Sequence, residues 1–462
     1  MTDRAVPADI PAAPKKPDAI FIHGSTMGHV TRMTFTAFVG LFAIFFVDFL
    51  TLLYVSWLKN EGLTAAVGFA SVVMFFLTSI NIGFMIAVTA LSARRLGSGD
   101  KPMARLIAGS SIALMVFAGG LIWLILLPVL DPLLSLLGAE GEVKSAARRY
   151  LMIALPSNVF MALGMGLSGI LRAVGDANRA MYVTLSGGIV TAVIDPVLIF
   201  SLGLGIEGAA LGMVVSRLVF ALVGWYGAIR VHNMVARPTL RQIRNDASTV
   251  FAIAGPAILT NLATPFSLAV VARIVSVFGP SAIAANTVID RLTPLAFGAL
   301  FALSGAVGPI LAQNWGAGMF HRMRTTMRDS FLFSAIYVLV AWIILVLGRN
   351  MIVTLFALSG AAADGVLFFC WISGPMWFFT GLLFTANAAF NNLGFPLYST
   401  MFNWGRATLG TIPFAWIGAH YYGYNGALAG MTLGVVVFGI FASLFAMRTI
   451  SILEQRMRKN EP

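Results

Sequence analysis

The sequence predicts an all-α membrane protein. Twelve transmembrane helices are expected, in two six-helix halves related by a pseudo-two-fold axis along the membrane normal. Three observations predict this. First, mean hydropathy is +0.89, and 59% of the 462 residues are hydrophobic while only 10% are charged. A soluble chain carries roughly 25% charged residues. Second, apolar runs long enough to span a bilayer recur along the chain; a spanning helix needs about 20 such residues. Third, short glycine marks repeat at a nearly constant offset.

Residues 1–30 are rich in Ala, Pro, Lys and Asp, with no apolar stretch of the length a signal peptide needs. They read as a mobile cytoplasmic tail with a short surface helix near Phe21–Met27. Six spans follow in the N-terminal half, residues 31–231, near 35–57, 64–93, 105–130, 147–171, 179–203 and 207–231. Residues 232–247, HNMVARPTLRQIRNDA, form a polar cytoplasmic linker. The second half, 248–447, carries spans near 248–277, 281–313, 328–348, 364–390, 397–419 and 425–447, and 448–462 is a C-terminal cytoplasmic tail. The runs are continuously apolar without dyad alternation, which favours helices over a barrel.

The repeat marks are specific. AxxxGxG occurs at Ala93–Gly99 and at Ala312–Gly318, 219 residues apart. Arg105 and Arg324 share that offset, as do Gly175 and Gly394. Gly208–Met213 and Gly426–Met431 are 218 apart. Marks at equivalent helix ends point to duplication. Six helices per copy give both copies the same orientation, with a substrate cavity between them.

The net charge of +12 reports orientation rather than an acidic partner such as nucleic acid. Most Lys and Arg fall in the tails and in alternate loops, for example Arg94, Arg95, Lys101 and Arg105, then Arg237, Arg241 and Arg244. This positive-inside bias places both termini and the basic loops in the cytoplasm. Lys144, Arg148 and Arg149 are the exception. The single cysteine, Cys370, excludes an intramolecular disulfide and CxxC metal sites. The five histidines are scattered among loops and tail. The Gly-Ser-Gly and Gly-Ala-Gly turns lack the terminal Lys-Ser/Thr of a phosphate loop. Neither an enzyme nor an ATP-driven pump is expected, and no cofactor.

Two acids interrupt the apolar runs: Asp48 in FAIFFVDFLTLLYV and Asp195 in IVTAVIDPVLIF. A charge at the bilayer centre costs roughly 2.5–3.5 kcal/mol or more, so such a residue is a functional candidate by default. Burial disfavours the charged form, which suits loading and release of a proton. Pro196 removes a backbone N–H and frees the Ala192 carbonyl one turn earlier. Asp195, that carbonyl and the Thr191 hydroxyl make an oxygen-rich set fit for a proton or sodium. The bland readings are a structural ion pair for Asp48 and a satisfied kink for Asp195. Pro196, Pro265 and Pro413 are candidate hinges. Asn261, Arg291, Trp404 and Arg406 are candidate cavity residues. Arg217 and Arg273 also lie in or near spans, and for the arginines a structural role is at least as strong a reading. Asn387, Asn391 and Asn392 read as helix-end polar groups.

These features together resemble the multidrug and toxic compound extrusion (MATE) family. The GxG marks after the second and eighth spans carry the resemblance, with Leu171–Met181 (LRAVGDANRAM), Tyr150-Leu151 and Gly205–Gly212 (GIEGAALG). Asp48 and Asp195-Pro196 are similar to the acids of the DinF-like branch. The seventh span has no Asp or Glu and the tenth only the boundary residue Asp364. The resemblance implies a secondary antiporter of the bacterial inner membrane that exports amphipathic or cationic compounds against protons or sodium. It adds Tyr150 to the coupling set of Asp48, Asp195 and Thr191. It implies function as a monomer in contact with lipid. Ile44, Thr191 and Met213 depart from the branch's usual hydrogen-bonding residues. A lipid-linked precursor or polysaccharide flippase of the wider superfamily is the alternative, since Arg217, Arg273, Arg291 and Arg406 would suit phosphates.

Overall fold

The computed structural model describes residues 19–56, 61–356 and 358–459, with the side chains of residues 44–50, 52, 53, 56 and 61, Asp48 and Ile44 among them, outside the described set. Among the described residues there is no strand. The helices run α1 (Thr26–Ser56), α2 (Glu61–Gly97), α3 (Lys101–Leu136), α4 (Gly141–Ala154), α5 (Asn158–Ala173), α6 (Ala177–Pro196) and α7 (Gly205–Trp225). The second set is α8 (Leu240–Ser276), α9 (Pro280–Gly316), α10 (Phe320–Leu355), α11 (Gly360–Phe368), α12 (Gly374–Asn392), α13 (Pro396–Gly405) and α14 (Ile412–Lys459). Short 3-10 or π segments join α4 to α5, α11 to α12 and α13 to α14, so each pair forms one longer apolar stretch. Among the described residues, ten such stretches are long and apolar enough to cross a membrane.

Side chains at the turns explain where helices begin. Asp100 accepts from the Met103 N–H at 3.1 Å, Asp176 from Arg179 N–H at 3.0 Å and Thr239 from Gln242 N–H at 3.2 Å. Each satisfies a donor that the first helical turn leaves open. Kinks arise at two places. Phe297 on α9 is non-helical (φ −119°, ψ 15°), three residues after Pro294. Tyr422 and Gly423 break α14, with Gly423 at φ 60°, a conformation that glycine adopts without steric cost.

The two halves meet through small residues. A Cβ on Gly97 of α2 would lie 2.0 Å from the Gln313 carbonyl oxygen of α9. A Cβ on Gly316 of α9 would lie 2.0 Å from the Arg94 carbonyl oxygen of α2. Adding the repeat offset, 97 + 219 = 316 and 94 + 219 = 313, so the crossing maps onto itself. Further along, Gly83 of α2 packs on Ile258 and Ala254 of α8, and Gly298 of α9 packs on Phe38 of α1. From Gly97 to Gly83 is fourteen residues, about 21 Å of helix at 1.5 Å each. The halves are therefore in contact at both ends of this stretch of α2, from the basic-loop end inward.

Residues 19–30, read from sequence as part of a mobile tail, are structured. Ile20–Ile22 forms a 3-10 turn, Phe21 is buried, and α1 begins at Thr26. The reason is that α9 and α10 supply partners. The Phe21 N–H donates to Gln313 Oε1 at 2.9 Å. Its carbonyl accepts from Asn314 Nδ2 at 3.2 Å and from Arg322 at 2.9 Å. Arg322 also donates to the carbonyls of His23 and Gly24. Gln313 Nε2 donates in turn to the Ala173 carbonyl at the end of α5, at 2.6 Å. One side chain thus ties the N-terminal segment to both halves.

The exceptional basic cluster is neutralised locally. Arg148 pairs with Asp131 at 3.1 Å and Arg149 with Glu207 at 2.7 Å, while Lys144 donates to Ser135.

Candidate functional site

Asp195 is fully buried on α6, at the junction with α1 and α7. Thr51 on α1 donates to its Oδ2 at 2.8 Å. Its Oδ1 has no hydrogen-bond partner among the described residues and faces Gly212 on α7, where a Cβ would lie 1.9 Å away. Glycine is required here because any side chain would displace the carboxylate.

The Ala192 carbonyl, freed by Pro196, accepts from the Tyr54 hydroxyl at 3.4 Å, a long hydrogen bond. A π segment, Val197–Ser201, follows Pro196 directly, so the irregular backbone begins two residues beyond the acid. Thr191 is buried, yet its hydroxyl donates to the Gly187 carbonyl at 3.2 Å, within its own helix. Tyr150 is buried against α7, its hydroxyl 3.8 Å from Met213 Sδ. Met213 thus keeps a weak acceptor where the sequence comparison counted a loss. The acid, Thr51, Tyr54 and Gly212 come together; Thr191 and Tyr150 line neighbouring contacts. The Asp48 side chain lies outside the described residues.

Thr51, Tyr54 and Gly212 were not singled out from sequence as partners of the acid. A signal for the first existed: Thr51 falls one helical turn after Asp48, on the same face.

The C-terminal half lacks this site. Adding 219 takes Asp195 to Phe414 and Asp48 to Ser267. Phe414 also occupies the equivalent place, since a Cβ on Gly430 would meet the Phe414 carbonyl oxygen at 2.0 Å. The acid has an aromatic ring as its pseudo-symmetric counterpart.

The remaining candidates are dispersed. Arg291 and Arg273 are exposed. Arg217 is buried and donates to Ser157 at 3.0 Å. Arg406 is half-buried. Trp404 donates its ring N–H to the Leu259 carbonyl at 2.9 Å and packs on Phe266, so it fastens α13 to α8. Asn261 donates to the Ala257 carbonyl of its own helix at 2.8 Å. Pro265 sits within α8, which stays helical throughout, whereas Pro413 follows the π segment Arg406–Gly410. The bends that sequence did not single out are those at Phe297 and Tyr422–Gly423. Asn391 and Asn392 do end α12, as read from sequence, and with Asn387 one turn earlier all three are buried. The side-chain carbonyl oxygens of all three have no partner among the described residues. Asn392 packs against Gly308 of α9.

The MatE family profile matches residues 37–197 and again 256–417. The two matches begin 256 − 37 = 219 residues apart, the offset of the glycine marks. A Shewanella oneidensis protein named an FAD transporter is 27% identical over 90% of this chain and 93% of its own length. A probable multidrug resistance protein NorM of Thermotoga maritima is 23% identical over 84% of this chain and 85% of its own. The multidrug export protein MepA of Staphylococcus aureus is 25% identical over 72% and 76%. Among solved structures, a MATE transporter of Vibrio cholerae, VcmN in its bent form, superposes with a TM-score of 0.88 at 22% identity, covering 93% of this chain and 98% of that one. An outward-facing multidrug resistance MATE transporter gives 0.88 at 23%, covering 96% and 100%. With both halves of the chain matched, this multi-pass membrane protein belongs to the MatE family of transporters.

Proposed function

We propose that the protein is a secondary active antiporter of the bacterial inner membrane, with both termini cytoplasmic. It exports amphipathic or cationic organic compounds in exchange for protons or sodium. The observation that carries this reading is Asp195: wholly buried, held through one oxygen by Thr51, and with no partner at the other among the described residues. The names of the NorM and MepA relatives support the drug-export part.

Asp195 and Asp48 exchange ion-loaded and ion-free states. Asp48 stands one turn before Thr51 on α1. Loading removes a buried negative charge between α1, α6 and α7, and so changes how those helices pack. A ligand shifts a conformational equilibrium only by its difference in affinity between states. Moving from 1:99 to 99:1 takes about 5.5 kcal/mol. One charge crossing 100 mV contributes about 2.3 kcal/mol, so the chemical gradient of the ion supplies the rest or the shift is smaller. Closure at the basic-loop end corresponds, in this orientation, to a cleft facing outward. Pro196, with the π segment after it, is the natural pivot in the first half; Pro265 and Pro413 are the candidates in the second. Arg291, Arg406, Asn261 and Trp404 remain candidates for contact with substrate. The protein works as a monomer, since its cavity is built from its own two halves.

The test is purified protein in liposomes under a pH gradient or a sodium gradient applied separately, with a fluorescent cation as cargo. Asp195→Asn and Asp48→Asn should abolish gradient-driven uptake while leaving the protein folded. Uptake by Asp195→Asn equal to that of the parent would remove the coupling role.

A second reading follows from the relative named an FAD transporter: an anionic, ring-bearing cargo, or in the same spirit a phosphate-linked lipid precursor. In the same liposomes, competition by FAD but not by cationic dyes would favour it.

A further inference from the structure

A cavity of about 530 Å³ lies between the two halves at the basic-loop end, beside the glycine crossing. This is within the range of small-molecule sites, roughly 300–1,000 Å³. Arg94 and Arg95 at the end of α2 line it from one half, and Arg456 near the end of α14 lines it from the other. The Arg94 guanidinium stacks over the Trp315 ring of the opposite half at 3.5 Å. Among the described residues none of these three arginines makes an ion pair, although six other such pairs are present. The one lining carboxylate, Asp246, is engaged by Gln242 Nε2 at 3.0 and 3.1 Å. Three guanidinium groups therefore face one carboxylate that has its own partner. Leu91, Met103, Ile107 and Leu453 supply apolar lining.

We infer that this cavity binds a phosphate-bearing anion that bridges the two halves. Guanidinium forks match phosphate oxygens in geometry and charge. The apolar lining suits either the glycerol end of an anionic phospholipid or the body of a soluble organic phosphate. Because both halves line the cavity, its occupant binds only while this end is closed. By linkage it stabilises that closed state. The site lies at the opposite end of the closed interface from any outward-facing cleft, so its occupant acts as a regulator of access. Only its cytoplasmic location rests on the proposed orientation; its existence does not.

The test uses the full chain in nanodiscs at low salt, where exposed charges are least screened. One arm compares phosphatidylcholine with and without phosphatidylglycerol. The other adds inorganic pyrophosphate to phosphatidylcholine discs. The readouts are the thermal unfolding midpoint and the distance between spin labels on the two halves. At least one probe should raise the midpoint and hold the halves together. The double variant Arg95→Ala/Arg456→Ala should weaken its effect tenfold or more, and Arg241→Ala, outside the cavity, should not. A response to lipid alone assigns a headgroup; a response to pyrophosphate alone assigns a soluble phosphate. No response to either probe overturns the site. So does an equal loss with Arg241→Ala, which would mean general surface charge.

Discussion

Replacing Gln313 by leucine should open the basic-loop end. The side chain is buried and makes two hydrogen bonds that leucine cannot, from the Phe21 N–H at 2.9 Å and to the Ala173 carbonyl at 2.6 Å. Each buried backbone group left unpaired costs about 1–3 kcal/mol. Both belong to the closed arrangement, because each runs from the C-terminal half, on α9, to a residue of the N-terminal half. Taking about 2 kcal/mol in total as the low end, the closed state loses roughly 30-fold in population, since 1.4 kcal/mol is a factor of ten. A 99:1 preference would fall to roughly 3:1. Spin labels at Ser98→Cys and His321→Cys, in a Cys370→Ala background, would report the distance between the two ends by pulsed dipolar spectroscopy. A second, longer distance should appear in Gln313→Leu. A distribution identical to the parent's, in protein of equal yield and helicity, would show that this bridge does not hold the halves together.

Other substitutions separate site from scaffold. Gly212→Ala places a methyl 1.9 Å from Asp195 Oδ1; gradient-driven transport should fall at least tenfold with little change in expression, and wild-type rates would refute the tight fit. Thr51→Val removes the recorded donor to Asp195. A hydrogen bond to a charged group contributes about 1.5–3 kcal/mol. Losing it loosens the hold on the carboxylate, so gradient-driven transport should fall roughly tenfold; parent rates would count against Thr51 as a partner of the coupling acid. At the α5–α6 turn, burial alone would raise the Asp176 carboxyl, but hydrogen bonds from His232 and Arg179 outweigh it and hold the group well below the usual carboxylate range. A depressed folded value means the stabilisation is complete above the unfolded value of about 3.9 and is lost as pH falls below it. Asp176→Ala should therefore destabilise by about 1 kcal/mol or more near neutral pH, with its helix cap also lost. The gap from the parent should close on acidification below pH 4, as followed by thermal unfolding.

The halves were legible in the sequence because their marks are local: a glycine at a helix end is required by what crosses there, whatever the rest of the chain does. Asp195 was legible because an acid among Ile, Val and Leu stands out. Its partners were not, because Thr51 and Gly212 reach it across helices 144 and 17 residues away, and nothing in a single helix records that contact. The docked N-terminal segment was hidden for a similar reason. Phe21 looks like a tail residue until Gln313, Asn314 and Arg322 provide for its backbone. Prolines misled in both directions. Pro265 leaves α8 helical, whereas the bend in α9 falls at Phe297, three residues past Pro294. Membrane helices absorb a proline when neighbours satisfy the freed carbonyl, and sequence does not say which will.

The crossing of α2 and α9 has an evolutionary consequence. Gly97 meets Gln313 as Gly316 meets Arg94, so the surface is complementary to its own copy. Such isologous patches are what two-fold dimers use. An ancestor half as long, bearing one of these glycines, could have paired with a second molecule of itself through the same two carbonyl approaches. Fusion would then have been free to give an acid to one copy and phenylalanine to the other.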